Sequence, residues 1–191
     1  SISSYHTTLD GATYTAASFT AGKKLSAAGN MMLAVSVTDS RGRTATYTST
    51  IQVLDYAVPS IRQFSVERCN ADGSSAQVDG KKARFSFQGS VSPLNNKNSV
   101  SCVVYYKLKN AEAWTQAYAV NAASYTLAVS NQMLSQTYDA LSSYDVKIRL
   151  ADHFQEAEQA VSIGTKGVIL DFLADGTGIG IGKAAEIPGA I

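Results

Sequence analysis

The sequence predicts an all-β protein in which two sandwich modules are followed by a short glycine-rich β-hairpin. Residues 144–150, Tyr-Asp-Val-Lys-Ile-Arg-Leu, alternate apolar and charged side chains without a break. Because side chains on a strand point to opposite faces with period two, this pattern is typical of a half-buried strand over a core. A similar alternation occurs at residues 33–37, and the two strands run into turns that begin at Asp39 and Asp152. The sequence therefore predicts one β-module used twice.

The first module, residues 1–57, is predicted to be partial. Strand-like segments occur at residues 2–9 and 14–19, and a hairpin with its turn at residues 39–42 extends to residue 53. This gives about four strands, whereas a complete two-sheet sandwich needs about seven strands and ~100 residues. We therefore expect these to be the C-terminal strands of a module that other residues or another partner complete at its N-terminal side.

Pro59 marks the expected boundary between the modules. Proline restricts the preceding residue, Val58, to extended conformations and cannot donate a ladder hydrogen bond. These properties suit the entry to the first strand of a new module. We place this second module at residues 58–166.

The second module is predicted to be a complete sandwich. Its strand-like segments are residues 61–68, 83–88, 100–108, 114–118, 125–129, 144–150 and 156–165. Residues 131–143 form a crossover, in which a helical turn near Met133 and Leu134 is one alternative. Seven short strands at this spacing favour an immunoglobulin-like or fibronectin III-like sandwich over a barrel.

Tyr144 begins its strand where such sandwiches often carry a corner tyrosine. In that role the ring lies in the core and the hydroxyl hydrogen-bonds to a nearby backbone group. The alternative is an inward-facing aromatic side chain without that hydrogen bond. The sequence leaves both open.

The tail, residues 167–191, is predicted to form a Gly/Ile-rich hairpin. An apolar strand at residues 168–173 is followed by a turn and by Gly178, Ile179, Gly180, Ile181 and Gly182. One face of that second strand carries no side chains, so another backbone or an aromatic ring can approach it closely. Because an isolated hairpin is marginally stable in water, we expect these five residues to form a docking or oligomer interface.

Composition argues against several function classes. Lys plus Arg total 16 and Asp plus Glu total 15, which gives a net charge of +1 and no basic field for nucleic acid or an anionic membrane. No run of about 18 apolar residues exists that could span a membrane. Cys69 and Cys102 lie in strand-like contexts, and we expect them to be buried free thiols.

Motifs for catalysis, nucleotides or metals are not found in the sequence. Gly182-Lys183 is followed by Ala184, so the hydroxyl that a phosphate-binding loop requires is missing. His6 and His153 have no ligands at metal spacing, and neither can be placed beside a nucleophile. We therefore predict no catalytic residue, no cofactor, no metal and no enzymatic activity.

Tyr105, Trp114 and Tyr118 are the candidate ligand residues, as an aromatic platform for a sugar. The alternative, packing in the core or on the sheet surface, is the more ordinary role of such aromatic side chains. Tyr105 is expected to lie on the face opposite the core.

Two segments resemble a known class of phage proteins. Residues 167–186, Gly-Val-Ile-Leu-Asp-Phe-Leu-Ala-Asp-Gly-Thr-Gly-Ile-Gly-Ile-Gly-Lys-Ala-Ala-Glu, resemble a segment of tail proteins of siphophages that infect Gram-positive bacteria. Residues 37–43, Val-Thr-Asp-Ser-Arg-Gly-Arg, resemble the tandem immunoglobulin-like repeats of the same minor structural proteins. The resemblance implies a virion component, a tail fibre or tail-tip protein involved in host attachment.

The resemblance also implies partners and leaves alternatives. It implies contacts with other virion tail proteins, a homo-oligomer that is often a trimer, and a host-surface glycan. The alternatives are a carbohydrate-binding or adhesive module, and a bacterial cell-surface protein with immunoglobulin-like repeats. Many surface proteins carry this kind of sandwich, so the fold alone does not separate them.

Overall fold

The computed structural model describes residues 1–22, 24–75, 80–165, 170–172 and 177–181, and its regular elements in these ranges are all β-strands. The all-β prediction is confirmed. The strands are β1 (Ile2–Leu9), β2 (Ala12–Tyr14), β3 (Gly29–Asp39), β4 (Thr44–Val53), β5 (Ser60–Cys69), β6 (Lys82–Ser90), β7 (Ser101–Leu108), β8 (Thr115–Ala119), β9 (Thr126–Met133), β10 (Tyr144–Ala151), β11 (Glu156–Ile163), β12 (Leu170–Phe172) and β13 (Ile179–Ile181). The chain divides into two compact units, Ser1–Tyr56 with Leu94–Asn96, and Ala57–Pro93 with Lys97–Ile191.

The first unit contains a four-stranded antiparallel sheet in the order β2-β1-β3-β4. Its β3–β4 turn is built on Asp39, whose Oδ1 accepts the backbone N–H groups of Arg41 at 2.8 Å and Arg43 at 3.0 Å. The hydrogen bonds from the backbone and side chain of Arg43 lower the pKa of the Asp39 carboxyl. An aspartate that accepts the N–H two residues on is an established turn device.

The prediction of a strand at residues 14–19 is wrong. Strand β2 ends at Tyr14, and the described part of residues 15–28 contains no strand. The chain bends after Tyr14, so that the rings of Tyr14 and Phe19 stack with centroids 4.1 Å apart. The ladder with β1 stops at the pair Thr7 and Tyr14, so residues 15–19 have no strand partner there.

The second unit packs two antiparallel sheets around one hydrophobic core. Strands β5-β6-β9 form one sheet and β11-β10-β7-β8 form the other. Phe85 and Phe87 of the first sheet and Val104, Ile148 and Leu150 of the second are at most 1% exposed and belong to the same buried cluster. Burial of side chains from both sheets against each other is the main stabilising contribution.

Strand β10 is an inner strand of the sheet β11-β10-β7-β8. Its burial confirms the predicted alternation of buried and outward-facing side chains. It pairs with β7 on one side and β11 on the other. Val146, Ile148 and Leu150 are fully buried, while Lys147 and Arg149 point to the opposite face. The turn that follows repeats the chemistry of the first unit, since Asp152 Oδ1 accepts the N–H of Phe154 at 2.7 Å.

The helical turn suggested near Met133 and Leu134 is wrong. Met133 is the last residue of β9 and lies opposite Arg84 of β6, and the N–H of Leu134 donates to the carbonyl of Ala83 at 2.9 Å. The register between β6 and β9 shifts between Phe85 and Phe87, and Asn131 has a φ of 50°. This bulge interrupts the period-two pattern, which is why the end of the strand does not look like a strand in the sequence.

Tyr144 has the corner arrangement. Its hydroxyl accepts the backbone N–H of Asp139 at 3.0 Å, five residues upstream, and the residue is 8% exposed. Both features of the predicted corner tyrosine are therefore present. The contact joins the start of β10 to the irregular crossover that precedes it.

Arg68 is a buried cation whose side chain hydrogen-bonds to three separate segments. It is 4% exposed, and its guanidinium donates to four backbone carbonyls. The acceptors are Gly80 at 2.9 Å, Asp139 at 3.0 Å, Ser142 at 2.6 Å and Gly164 at 2.8 Å. The guanidinium carbon also lies 5.9 Å from the centroid of the Tyr144 ring.

We predict that Arg68→Met lowers the free energy of unfolding of the second unit by on the order of 3 kcal/mol, because it removes four hydrogen bonds of a buried guanidinium and leaves the carbonyl of the buried Gly80 without its donor. Urea denaturation followed by the fluorescence of Trp114, the single tryptophan, measures the change. The matched control is Arg149→Met, since Arg149 has a side chain 45% exposed in an ion pair with Glu156. Exposed pairs contribute less than about 1 kcal/mol. Equal effects of the two substitutions would contradict the role given to Arg68.

Candidate functional site

The candidate site lies on the four-stranded sheet of the second unit, β11-β10-β7-β8, on the face that points away from the core. We call it the aromatic–lysine face and define it as Tyr105, Lys107, Trp114, Asp145 and Lys147. Alternation along β7 and β10 places their odd-numbered residues away from the core, and the register sets Lys147 opposite Tyr105 and Asp145 opposite Lys107. Trp114 precedes β8 at the edge of the same sheet.

The two lysines of this face lie over the two aromatic rings. Lys147 Nζ is 4.9 Å from the centroid of Trp114 and 5.7 Å from that of Tyr105, and Lys107 Nζ is 5.2 Å from Trp114. These distances are in the range of cation–π attraction. Sequence reasoning did not single out the lysines, because their contacts with the rings depend on the register between neighbouring strands.

The same two lysines also form ion pairs with carboxylates. Lys147 pairs with Glu158 at 2.9 Å, and Lys107 lies 3.9 Å from Asp145 while donating to the carbonyl of Ala111 at 2.8 Å. Both lysine side chains are less than one fifth exposed. The face is therefore a packed array of internal pairs, in which the cations and the ring surfaces already have partners within the protein.

Tyr118 does not join Tyr105 and Trp114. It lies opposite Val104, a core residue, and its ring centroid is 5.6 Å from that of Phe85. A register shift between Val104 and Tyr105 changes which residues of this edge point outwards. The structure thus brings two of the three predicted aromatic residues together and places the third against the core.

Histidines and carboxylates form no metal-binding group in the described ranges. His153 is exposed in the β10–β11 turn with its ring 4.9 Å from Phe154, and His6 is an exposed residue of β1. Residues 1–22, 24–75, 80–165, 170–172 and 177–181 contain no group of three or more His, Cys, Asp or Glu side chains that could bind a metal ion. In the same ranges, no helix is long and apolar enough to cross a membrane.

Both cysteines are buried free thiols, as predicted. Cys69 is fully buried with its Sγ 3.4 Å from the sulfur of Met133, and Cys102 is 2% exposed. Burial raises the pKa of the Cys102 thiol to about 12 and raises the pKa of Cys69 as well. Because the thiolate is the nucleophile, neither side chain is prepared for nucleophilic chemistry.

The predicted glycine interface lies only partly within the described residues. Strand β13 pairs antiparallel with β12, with Leu170 opposite Ile181 and Phe172 opposite Ile179. Gly178 is buried and Ile179 is half-buried. Gly182 and the turn at residues 173–176 lie outside the described residues, so the hairpin and its role as an interface stay predictions.

We predict that iodoacetamide at pH 8 labels neither cysteine of the folded protein, and labels both in guanidinium chloride, because the thiols are neutral and inaccessible. Peptide mass spectrometry measures the rates. The matched control is Ser130→Cys, an exposed position on β9, which should react at least about 100-fold faster than Cys102. Equal rates at the two positions would show that Cys102 is accessible.

Comparison with protein families finds a family whose model matches the chain. Residues 1–191 match the family described as "Siphovirus protein of unknown function (DUF859)". A comparison with curated proteins finds no match. Since the match covers the entire chain, the protein belongs to this family of siphovirus proteins.

Proposed function

We propose that the chain is a non-enzymatic structural component of the siphovirus tail, part of a tail fibre or tail tip, in which immunoglobulin-like modules act as a spacer and scaffold. The observation that carries the proposal is the repeated sheet. The order β2-β1-β3-β4 in the first unit is the order β8-β7-β10-β11 in the second. Repetition of one sheet architecture along a chain is how extended proteins are built from small folding units.

The second unit supports the immunoglobulin-like part of this proposal. Seven of its described strands, β5 to β11, form two antiparallel sheets, β5-β6-β9 and β11-β10-β7-β8. It also has a corner tyrosine, Tyr144, at the start of β10. Immunoglobulin-like and fibronectin III-like sandwiches share these features.

Family membership supports a location in the virion. A siphovirus protein is encoded by a tailed phage, which favours the phage particle over the alternative of a bacterial cell surface. The partners of such a component are other tail proteins and further copies of itself, with a trimer as the expected form. A role in host attachment follows if the component lies at the distal end of the tail.

The carbohydrate-binding alternative rests on Tyr105 and Trp114, which lie on one face. Three features argue against that use of the face. The lysines already contact both rings, the lysines are paired with carboxylates, and Tyr118 packs towards the core. A sugar would have to displace internal contacts, so the geometry favours a structural role.

The structural role predicts that the chain is present in purified phage particles. Immunogold electron microscopy with an antibody against residues 58–165 should label the tail, while an antibody against the capsid labels the head of the same particles. Quantitative mass spectrometry of the particles should find a small fixed copy number per virion. Detection in lysates of infected cells, but not in particles purified on a density gradient, would contradict the proposal.

The predicted interface at residues 178–182 implies that the chain associates with copies of itself. Light scattering should give a mass that is a multiple of the 20.2 kDa chain, with three chains expected. Gly180→Val should weaken association, because it adds a branched side chain to the bare face of the strand. The matched control is Gly164→Ala, since a Cβ there meets nothing within 4 Å. A monomeric mass for the unsubstituted chain would count against the interface.

A further inference from the structure

The four-stranded sheets of the two units are equivalent strand by strand. Strands β1, β2, β3 and β4 occupy the places of β7, β8, β10 and β11, and neighbouring strands are antiparallel in both sheets. The hairpins also match in chemistry. Asp39 Oδ1 accepts the N–H of Arg41 at 2.8 Å, and Asp152 Oδ1 accepts the N–H of Phe154 at 2.7 Å.

This equivalence identifies the inward face of the first sheet. Residues of β3 and β10 can be matched by their distance along the chain from the turn aspartates, Asp39 and Asp152. The inward residues of β10 then have these counterparts in β3: Val37 for Leu150, Val35 for Ile148 and Leu33 for Val146. The three residues of β10 are fully buried, whereas their counterparts in β3 are only half-buried. The same kind of face is therefore covered in one unit and incompletely covered in the other.

The first unit has no hydrophobic core in its described residues. Across residues 1–22 and 24–56, Thr7 is the one buried side chain, at 5% exposed, and no hydrophobic side chain is buried. A sheet with one apolar face requires a second layer against that face. In the second unit this layer is the sheet β5-β6-β9.

The origin of that layer in the second unit indicates what is missing in the first. Strands β5 and β6 form a hairpin that directly precedes β7, and β9 lies in the connection between β8 and β10. Strand β9 pairs with β6 in its sheet. In the first unit the matching connection, residues 15–28, forms no strand in its described part and has no counterpart of β6 to pair with.

We propose that the inward face of the first sheet is an interaction surface for a β-hairpin that precedes Ser1 in a longer form of the same protein. This hairpin is the counterpart of β5 and β6, and it presents alternating apolar side chains to Leu33, Val35 and Val37. Residues 15–19 then add to it as a third strand, the counterpart of β9. A second copy of the chain fits less well, because sheet-to-sheet pairing of two copies leaves residues 15–19 without a ladder partner.

Cysteine labelling tests the proposal with two forms of the protein. One is the 191-residue chain, and the other adds the residues encoded directly upstream. The added segment is at least as long as residues 60–100, which contain β5, β6 and the loop before β7. In the 191-residue chain Val35→Cys should react readily with iodoacetamide. In the longer form it should react at least about 100-fold more slowly, as expected for a side chain that reacts only through local opening.

The matched control is Ser36→Cys, the neighbouring residue on the opposite face of β3, which should react at the same rate in both forms. Hydrogen exchange adds a second readout, since the amides of residues 15–19 should become protected only in the longer form. Equal rates for Val35→Cys in the two forms would overturn the proposal, as would equal slowing at Ser36→Cys. Protection that rises with the concentration of the 191-residue chain would instead assign the face to a second copy. None of these outcomes depends on whether the protein is part of the tail.

Discussion

The second unit depends on the buried guanidinium of Arg68. This one side chain starts from β5 and hydrogen-bonds to carbonyls before β6, in the crossover that leads to β10 and after β11. It therefore connects the two sheets at one end of the sandwich. Taking the cation out of water is costly, and four charge-assisted hydrogen bonds to carbonyl dipoles offset that cost. Asp139 takes part twice, because its carbonyl accepts from Arg68 and its N–H donates to the Tyr144 hydroxyl.

A buried amide has the corresponding role at the Asp152 turn. Asn98 is 9% exposed, and its side chain donates to the carbonyl of Ser92 at 2.7 Å and to the carboxylate of Asp152 at 3.1 Å. Its Oδ1 accepts the N–H of His153 at 3.2 Å. The β10–β11 turn is thus fixed to the loop before β7. Polar contacts fix both loop clusters while apolar side chains fill the space between the sheets, and this construction agrees with the proposed role as a spacer.

Period-two patterns and turn residues made much of this architecture predictable. The alternation of residues 144–150 placed β10, and the aspartates placed both hairpin turns. What the sequence does not contain is the register between distant strands. The bulge beside Asn131 concealed the end of β9, and the shift between Val104 and Tyr105 separated Tyr118 from Trp114. The carbonyls that surround Arg68 come from segments as many as 96 residues away, so only the folded chain identifies its function.

The repeated sheet also explains why one strand prediction failed. A strand forms only where its backbone groups find a ladder partner, and residues 15–19 have none within the described first unit. In the second unit, the equivalent segment is β9, and its partner β6 comes from an earlier part of the module. Local sequence thus specified a strand that the available neighbours cannot pair. The half-buried Leu33, Val35 and Val37 have the same cause, because the described first unit contains one sheet and no second layer against it.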